Sequence, residues 1–218
     1  KKKYWLGTDS LGRDILSRLL VGSRISLSVG FIAVIISLLV GITLGATAGY
    51  FRGKADDIIM WLMSVLWSVP TILFVFAFTL IIGKGFWQIF IAIGLTMWVN
   101  VARLVRNQVL QLREVEYIQA VKKLGLSNAR IIIKHILPNI AGSIMIVAAS
   151  NFAAAILIEA GLSFLGLGLQ PPQPSWGLMI KENYAFLITN KSILAFIPGV
   201  TITLLVLCIN WVGNALRD

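Results

Sequence analysis

The chain has 218 residues, of which 58% are hydrophobic and 13% are charged. Soluble domains carry about 25% charged residues, so this composition excludes an ordinary soluble protein and predicts an integral membrane protein. The formal net charge of +10 would also fit nucleic-acid binding, but basic residues that flank apolar spans are the expected sign of membrane orientation, and we expect no nucleic-acid partner.

Residues 1–24 contain no apolar core after the lysines, so they do not resemble a signal peptide. Four apolar residues recur there at a spacing that places them on one helix face: Leu11, Ile15, Leu19 and Leu20. Asp9 or Ser10 could cap the start of this helix. We interpret residues 1–24 as an interfacial segment that leads into the first membrane span.

Five apolar stretches are long enough to cross a membrane, which takes about 20 helical residues. The predicted spans are 25–51, 58–83, 86–106, 139–165 and 192–215. The first span carries a glycine at every fourth residue, Gly41, Gly45 and Gly49, and such a stripe lets another helix approach closely. Prolines predict breaks in two other spans, at Pro70 and at Pro198-Gly199.

Polar residues inside these spans have both structural and functional interpretations. Pro70 could simply kink its helix, or it could bend a pathway. Asn100 could form an interhelical hydrogen bond or contact a ligand, and Asn151 lies in the fourth span. Glu159 is the only carboxylate embedded in a long apolar run. An intramembrane ionisable residue indicates function by default, although a backbone amide or an arginine could equally hold it in place.

The longest polar insert between the apolar runs is residues 114–139, and its pattern predicts two short helices that meet at Gly125. Before this glycine, apolar residues recur at helical spacing, at Val115, Ile118, Val121 and Leu124. Gly125 suits the left-handed position just after a helix end, and Ser127 could cap the second helix. Pro138 predicts the end of the insert, because proline disfavours helical geometry in the residue before it.

This insert resembles the cytoplasmic loop of ABC importer permeases, in which Glu-Ala-Ala is followed by glycine and then by Leu-Pro. Gln119-Ala120-Val121 stand at the Glu-Ala-Ala positions, Gly125 at the glycine and Leu137-Pro138 at the Leu-Pro. The chain departs from the family pattern at Gln119, at Val121, and at His135, where isoleucine is usual.

Two further segments look like those of the dipeptide, oligopeptide and nickel permeases of this family. Leu6-Gly7-Thr8-Asp9 with Leu11-Gly12-Arg13-Asp14 is similar to the segment that precedes their core spans. Glu159-Ala160-Gly161-Leu162-Ser163, continued by Pro171-Pro172 and Pro174-Ser175-Trp176-Gly177, is similar to their outward-facing loop. The resemblance covers residues 4–218, and its three motifs occur in the expected order.

The resemblance implies an all-α membrane protein, with the transmembrane domain of a type I ABC importer over residues 25–218. Such permeases usually have six spans, so five spans imply that the first helix is missing from this chain. The implied partners are a second related permease, two ATP-binding subunits and an extracytoplasmic substrate-binding protein. ATP would be bound by the partner subunits, and we expect no cofactor in this chain.

The resemblance also implies roles for single residues. The loop 114–139 would dock to an ATP-binding subunit through the coupling residues Glu116, Gln119, Ala120, Val121, Leu124, Gly125, Leu137 and Pro138. The pathway would run between this chain and the second permease. Its candidate lining residues here are Pro70, Asn100, Asn151 and Glu159.

Charge distribution predicts the orientation of the spans. With the loop 114–139 inside, the outer side between spans holds three basic residues, Lys84, Lys181 and Lys191, and the inner side holds ten, in agreement with the positive-inside rule. The ten are Arg52, Lys54, Arg103, Arg106, Arg113, Lys122, Lys123, Arg130, Lys134 and Arg217. Residues 1–24 are also basic but would lie outside, and a further span upstream would explain this. The expected location is the inner (plasma) membrane of a bacterium or archaeon.

The sequence predicts no enzyme. It contains no Walker-type phosphate-binding loop, and one histidine and one cysteine, far apart, do not make a metal site. Two alternatives to an importer remain: an energy-independent channel or membrane scaffold, and a proton-coupled carrier, which normally needs more embedded ionisable groups than Glu159. The cargo of an importer would be peptides or nickel, and the breadth of the family favours peptides.

Overall fold

The computed structural model describes residues 4–83, 85–188 and 192–215, and over these ranges the chain is helical, with no β-strand. The predictions on Lys1–Lys3, Lys84, Lys191 and Arg217 lie outside the described residues. The helices are α1 (Ile15–Phe51), α2 (Gly53–Trp67), α3 (Thr71–Ile82), α4 (Phe86–Arg113), α5 (Glu116–Lys123), α6 (Asn128–Ile131), α7 (Leu137–Phe164), α8 (Trp176–Asn183) and α9 (Ile193–Ala215). A π-helical turn, Ile132–Ile136, joins α6 to α7, and a 3-10 turn, Tyr184–Ile188, follows α8.

Within the described residues, four helical rods are long and apolar enough to cross a membrane: α1, α4, the continuous rod Asn128–Phe164, and α9. The pair α2 and α3 has the composition of one further span, but its halves are bent by 93°. Counting this pair once gives five spans, the number that the apolar stretches predict.

The first helix includes the later part of the predicted interfacial segment 1–24, and Leu11, expected on its apolar face, lies outside the helix. α1 begins at Ile15 and continues without a break to Phe51. Its N-cap is Asp14, whose side chain accepts a hydrogen bond from the Ser17 amide at 3.1 Å, so neither Asp9 nor Ser10 caps it. No glycine or proline at a strained position interrupts this stretch, and a helix of 37 residues, about 55 Å long, extends beyond the hydrocarbon core of a bilayer.

α1 and α4 form the central pair of the bundle, and the glycine stripe explains how closely they approach. A Cβ atom on Gly41 would lie 2.5 Å from Val101 Cβ, and one on Gly45 would lie 2.5 Å from the Ala102 carbonyl oxygen. Only hydrogen fits at these positions, so backbone packs on backbone. The prediction that this stripe seats a second helix is confirmed.

Of the three prolines expected to interrupt helices, one does. The chain breaks at Pro70, which precedes α3 and follows the end of α2 at Trp67. Pro198 instead lies inside α9, five residues from its start, where a proline removes one backbone hydrogen bond without ending the helix. The predicted break at Pro198-Gly199 is therefore wrong.

Pro138 does not end the loop either, which corrects the predicted boundary. It is the second residue of α7, directly after the π-helical turn Ile132–Ile136. The Leu137 amide donates to the Ile132 carbonyl, five residues back. This wider turn brings the chain into α7 at the position where a proline is tolerated, because the first amides of a helix need no intrahelical acceptor. The loop thus continues directly into the span.

At the opposite end of the bundle from α5, the N-terminal segment is fastened to α8 by four charged side chains, which we call the clasp. Arg18 Nη1 lies 2.7 Å from both Asp9 Oδ2 and Glu182 Oε2. Arg13 also bridges the two carboxylates, at 2.7 Å from Asp9 and 2.9 Å from Glu182. Nearby, the Trp176 indole N–H donates to the Leu19 carbonyl at 3.0 Å.

Candidate functional site

The helix α5 has one fully buried side chain, that of Ile118, which attaches it to the bundle. Ile118 is 1% exposed and packs into the core between α1, α4 and α7, and Val121 is partly buried against the same core. Glu116 lies in the first turn and Lys122 and Lys123 in the last, which is the favourable arrangement with the helix dipole. One face of α5 is thereby fixed to the bundle, and the other faces outward.

The turn after α5 depends on Gly125. Its φ angle is +81°, and a Cβ atom there would meet nothing within 4 Å. The requirement is conformational, because residues with a Cβ rarely adopt this left-handed region. Ser127 occupies the N-cap position of α6 as predicted, but its side chain makes no capping hydrogen bond.

Polar contacts hold the loop to the end of α1. The Tyr50 hydroxyl donates to Asn128 Oδ1 at 3.0 Å, and Arg113 Nη1 donates to the Tyr50 carbonyl at 2.5 Å. A salt bridge of 3.2 Å joins Arg52 to Glu114. These contacts connect three segments that are distant in sequence, and the sequence analysis did not identify them.

A second set of contacts holds α5 to the start of α7. Asn139 Nδ2 donates to the His135 carbonyl at 2.6 Å and to the Tyr117 hydroxyl at 3.1 Å. The Tyr117 hydroxyl donates to the same His135 carbonyl at 3.2 Å. His135 therefore contributes its backbone carbonyl to these contacts, as the acceptor of both hydrogen bonds. With α5 held on both sides, the loop is a rigid projection.

The predicted coupling residues divide into an outer and an inner set. Val121 and Leu137 are partly buried and pack against the core. The others are exposed: Glu116, Gln119, Ala120, Leu124, Gly125 and Pro138. Leu124 is 79% exposed and follows Lys122 and Lys123 directly. The projection therefore presents an apolar tip with a basic rim, a surface suited to docking with another protein.

The predicted pathway residues do not lie together. Pro70 and Asn100 are exposed, and Asn100 lines a cavity of about 120 Å³ beside the break between α2 and α3, together with Trp67, Thr71 and Thr96. Asn100 makes no hydrogen bond to another described residue, so the interhelical bond expected for it is absent from this part of the chain.

Asn151 makes the interhelical contacts instead. It is 3% exposed, and its Nδ2 lies 3.4 Å from Ser37 Oγ and 3.3 Å from the Met97 carbonyl oxygen. One amide group thus joins α7 to both α1 and α4. The geometry favours a structural role for Asn151 over contact with a transported molecule.

Glu159 is also buried among the helices of this chain, at 0% exposure. The Ser163 hydroxyl donates to its Oε1 at 2.7 Å, and the hydroxyls of Ser26 and Ser175 lie around the same carboxyl group. Among the described residues no backbone amide or arginine holds it, so the structural alternative takes a different form from the one that the sequence suggested. This enclosure favours the structural interpretation of Glu159 over a place on the pathway between two chains.

Two charged side chains of α4 contact α2, and the sequence pattern did not indicate either contact. Arg106 binds Asp56 through two prongs, Nε to Oδ1 at 2.5 Å and Nη2 to Oδ2 at 2.6 Å. Arg103 stacks on Trp67, with Cζ 3.5 Å from the ring centroid. Each pair is separated by dozens of residues in the chain, and only the hairpin of α2–α3 against α4 brings its members together.

Among the described residues, no group of three His, Cys, Asp or Glu side chains could hold a metal ion. The features that the described part of the chain does offer are the docking projection at α5 and the cavity beside the α2–α3 break. A membrane transport family matches most of the chain. Residues 41–218 match a family described as "Binding-protein-dependent transport system inner membrane component".

Curated relatives match over nearly the whole chain. The chain is 42% identical over 217 residues to the oligopeptide transport system permease protein OppC of Bacillus subtilis, which covers 100% of this chain and 71% of that protein. It is 41% identical over 215 residues to the glutathione transport system permease protein GsiD of Pectobacterium atrosepticum. That match covers 99% of this chain and 71% of GsiD.

Among solved structures, the chain superposes on one from the inward-facing MetNI methionine ABC transporter with a TM-score of 0.72. The match covers 96% of this chain and 98% of that chain at 18% sequence identity. At this identity the likeness shows the fold, which is the transmembrane fold of type I ABC importers.

Proposed function

The chain belongs to the family of binding-protein-dependent transport system inner membrane components, and from this premise we propose that it imports short peptides as one permease subunit of an ATP-driven complex. It is a multi-pass membrane permease, and the family works with ATP-binding subunits and a substrate-binding protein. The observation that carries the proposal is the rigid projection at α5, with its exposed Leu124 beside two lysines.

The finer composition of the complex is part of the proposal. Two ATP-binding subunits would lie on the cytoplasmic side, a second related permease would complete the pathway, and a binding protein would deliver substrate from outside. ATP would be bound by the ATP-binding subunits, and this chain would need no cofactor. Since the relatives described above are bacterial, we place the chain in a bacterial inner membrane.

The loop would couple ATP binding to movement of the spans. α5 would seat in a groove of one ATP-binding subunit, with Leu124 as its apolar contact and Lys122 and Lys123 at the rim. When the ATP-binding subunits close on ATP, the loop would move as a rigid body and tilt the spans between inward-open and outward-open states. The contacts of Tyr50 and Asn139 support this, because a loop held on two sides transmits displacement.

Peptides are the proposed cargo. The OppC and GsiD relatives are named for oligopeptide and glutathione transport, and both cargoes are short peptides with free carboxylates. Nickel stays the alternative cargo, because an external binding protein usually selects the cargo of such importers, and the absence of a metal-ligand cluster from the described residues does not exclude it.

The test is co-purification from the native membrane with a tagged full-length version of this chain. We expect an ATP-binding pair and a second permease to be recovered with the wild type. Gly125→Val should reduce recovery of the ATP-binding subunits, since a β-branched residue at a φ of +81° costs about 1–2 kcal/mol or more and reshapes the turn. Recovery of the second permease should not change.

Gly199→Val is the matched control, because a Cβ atom at Gly199 also meets nothing within 4 Å but the residue lies in ordinary helical conformation in α9. It should leave all partners bound. Recovery of this chain alone from the wild type, stable and without an ATP-binding partner, would contradict the importer and support an energy-independent channel or scaffold.

A further inference from the structure

One arginine of α4 differs from the other two in having no anionic partner. Arg106 binds Asp56 through two hydrogen bonds, and Arg113 donates to the Tyr50 carbonyl and lies 3.8 Å from Glu114. Arg103 forms no salt bridge with any described residue, and its Nε is buried there without a hydrogen-bond partner. Its charge is met only by the face of the Trp67 ring, 3.5 Å away.

The position of Arg103 makes this unusual. It lies ten residues before Arg113, the last residue of α4, and so about 15 Å along the helix from that end. The charge pattern places Arg103 toward the cytoplasmic end of its span, and a guanidinium on a membrane-spanning helix normally pairs with an anion or faces water. Stacking on an aromatic ring supplies only part of the stabilisation that hydration gives a guanidinium, and it does not use the N–H groups as hydrogen-bond donors.

Arg103 does not itself line the cavity beside the helix break, but the Trp67 ring on which Arg103 stacks does. Most of the cavity lining is apolar, and the polar side chains are Thr71, Thr96 and Asn100. Trp67 is 58% exposed and lines the cavity of about 120 Å³ together with Asn100 and Thr96. Asn100 precedes Arg103 by three residues, so the two lie on the same face of α4. An exposed amide and an unpaired guanidinium are both costly against lipid, so this face of α4 is unsuited to the bilayer.

The helix break strengthens this conclusion. Between Trp67 and Thr71 the backbone leaves helical geometry at the depth of the bundle. Irregular backbone inside a membrane is tolerated where it is buried in protein or lines a water-filled cavity. Because Pro70, Trp67 and Asn100 are all exposed on this chain, the surface they share faces the translocation pathway or a partner subunit.

We propose that Arg103, Asn100 and the Trp67 ring form a subsite of the pathway that binds the terminal carboxylate of the transported peptide. This inference rests on the function proposed above. A carboxylate accepts hydrogen bonds from the guanidinium edge while the guanidinium face stays on Trp67, and Asn100 adds a donor from the same helix face. The cavity is lined by Asn100 and Trp67, and Arg103 is next to it through its stacking on Trp67. It is too small for a whole peptide but admits a terminal group and a few waters.

The test uses the complete complex in proteoliposomes, with ATP and the binding protein, and two probes: trialanine and its C-terminal amide. Uptake of each is measured with the binding protein saturated by that probe. Arg103→Gln should slow uptake of trialanine about tenfold or more, the effect of losing a hydrogen bond to a charged group, and should change uptake of the amide less than about twofold. Arg103→Lys, which keeps the charge but loses the planar fork, should recover part of the trialanine rate.

Arg24→Gln is the matched control, since it removes one exposed positive charge from α1 and should affect neither probe. Asn100→Ala provides a second test that is independent of the folding of the Arg103 variants, and it should also slow trialanine more than the amide. Recovery of the partner subunits is measured for every variant.

Equal loss of both probes in Arg103→Gln and Asn100→Ala would overturn the subsite. Loss of the second permease from the Arg103→Gln complex would also overturn it, because Arg103 would then pair with a carboxylate of that partner. If the wild type takes up neither probe in an ATP-dependent manner, the proposed function fails and the subsite with it, so the two failures are distinguishable.

Discussion

At the residue scale, Glu159 shows how a charged residue type can serve packing. Its carboxyl group is fully buried in α7, accepts a hydrogen bond from Ser163 one turn later, and lies among hydroxyls contributed by α1 and by the start of α8. Buried polar groups stabilise a structure only when they are satisfied. Here the Ser163 bond satisfies Oε1, while Oε2 and the Ser26 hydroxyl are buried without a hydrogen-bond partner among the described residues. The site therefore requires one acceptor oxygen for Ser163 and does not require the second.

We therefore expect Glu159→Gln to keep near-normal uptake and thermal stability, because the amide oxygen can still accept from Ser163. Glu159→Leu should destabilise the protein by about 1–3 kcal/mol, the cost of leaving the buried Ser163 hydroxyl without an acceptor. Thermal unfolding of the purified complex in detergent measures both. Asp57→Leu, at an exposed position of α2, is the control for replacing a carboxylate by leucine. Strong loss of uptake in Glu159→Gln with unchanged stability would instead assign Glu159 to transport.

At the element scale, the approach of α1 to α4 is set by the glycine stripe, and α7 in turn packs against both helices of this pair. Association of helices in a membrane relies on packing rather than on the hydrophobic effect. A single added methyl group in the stripe must therefore be accommodated by separating two backbones over several turns.

Gly45→Ala should lower stability by about 1–3 kcal/mol, the usual cost of overpacking, since its Cβ would lie 2.5 Å from the Ala102 carbonyl oxygen. Gly142→Ala should have the opposite sign, because a Cβ there meets nothing within 4 Å and alanine favours helix over glycine by about 1 kcal/mol. Thermal unfolding of the two variants is compared with the wild type. Equal midpoints for Gly45→Ala and the wild type would show that α1 and α4 can separate at no cost.

The elements also show what the sequence could and could not predict. Long apolar runs and the glycine stripe depend on local composition, and they predicted the spans and the close helix pair. The prolines depend on their surroundings: Pro70 breaks its helix, Pro138 enters α7 after a π-helical turn, and Pro198 is absorbed by α9. A proline removes one backbone amide hydrogen wherever it occurs, but whether the helix bends there depends on the packing of the neighbouring helices.

The candidate sites follow the same division. Gly125 and the exposed residues of α5 could be placed because a loop motif is contiguous in sequence. The sequence could not predict the stacking of Arg103 on Trp67 or the burial of Asn151 and Glu159. These features depend on which face of each helix meets its neighbours. Polarity within a span indicates that a residue has a partner, and the sequence does not say whether that partner is a helix of the same chain.

At the scale of the whole molecule, the clasp holds the N-terminal segment against α8, at the far end of the bundle from the loop. Burial raises the pKa of the Asp9 carboxyl, but hydrogen bonds from Arg13, Arg18 and the Leu11 amide outweigh burial and hold that pKa below its usual range. The folded state therefore favours the charged carboxylate. Its stabilising contribution is present above the unfolded pKa and is lost as the pH falls through the folded value.

We expect Asp9→Asn to lower the unfolding midpoint at pH 7, with a loss of about 1–3 kcal/mol, because Arg18 loses one of its two carboxylate partners. The difference from the wild type should shrink as the pH falls below about 4, where the wild-type carboxylate also becomes protonated. Asp57→Asn, at an exposed position, should show neither effect. A difference between Asp9→Asn and the wild type that is independent of pH would remove the charge of Asp9 from the explanation.

The rod from Asn128 to Phe164 ties the loop to the far end of the bundle. Asn128 is bonded to Tyr50 of α1, and Asn151, about 35 Å further along the rod, is bonded to both α1 and α4. A displacement of the loop would therefore carry α1 and α7 together as one body rather than slide one helix past the other.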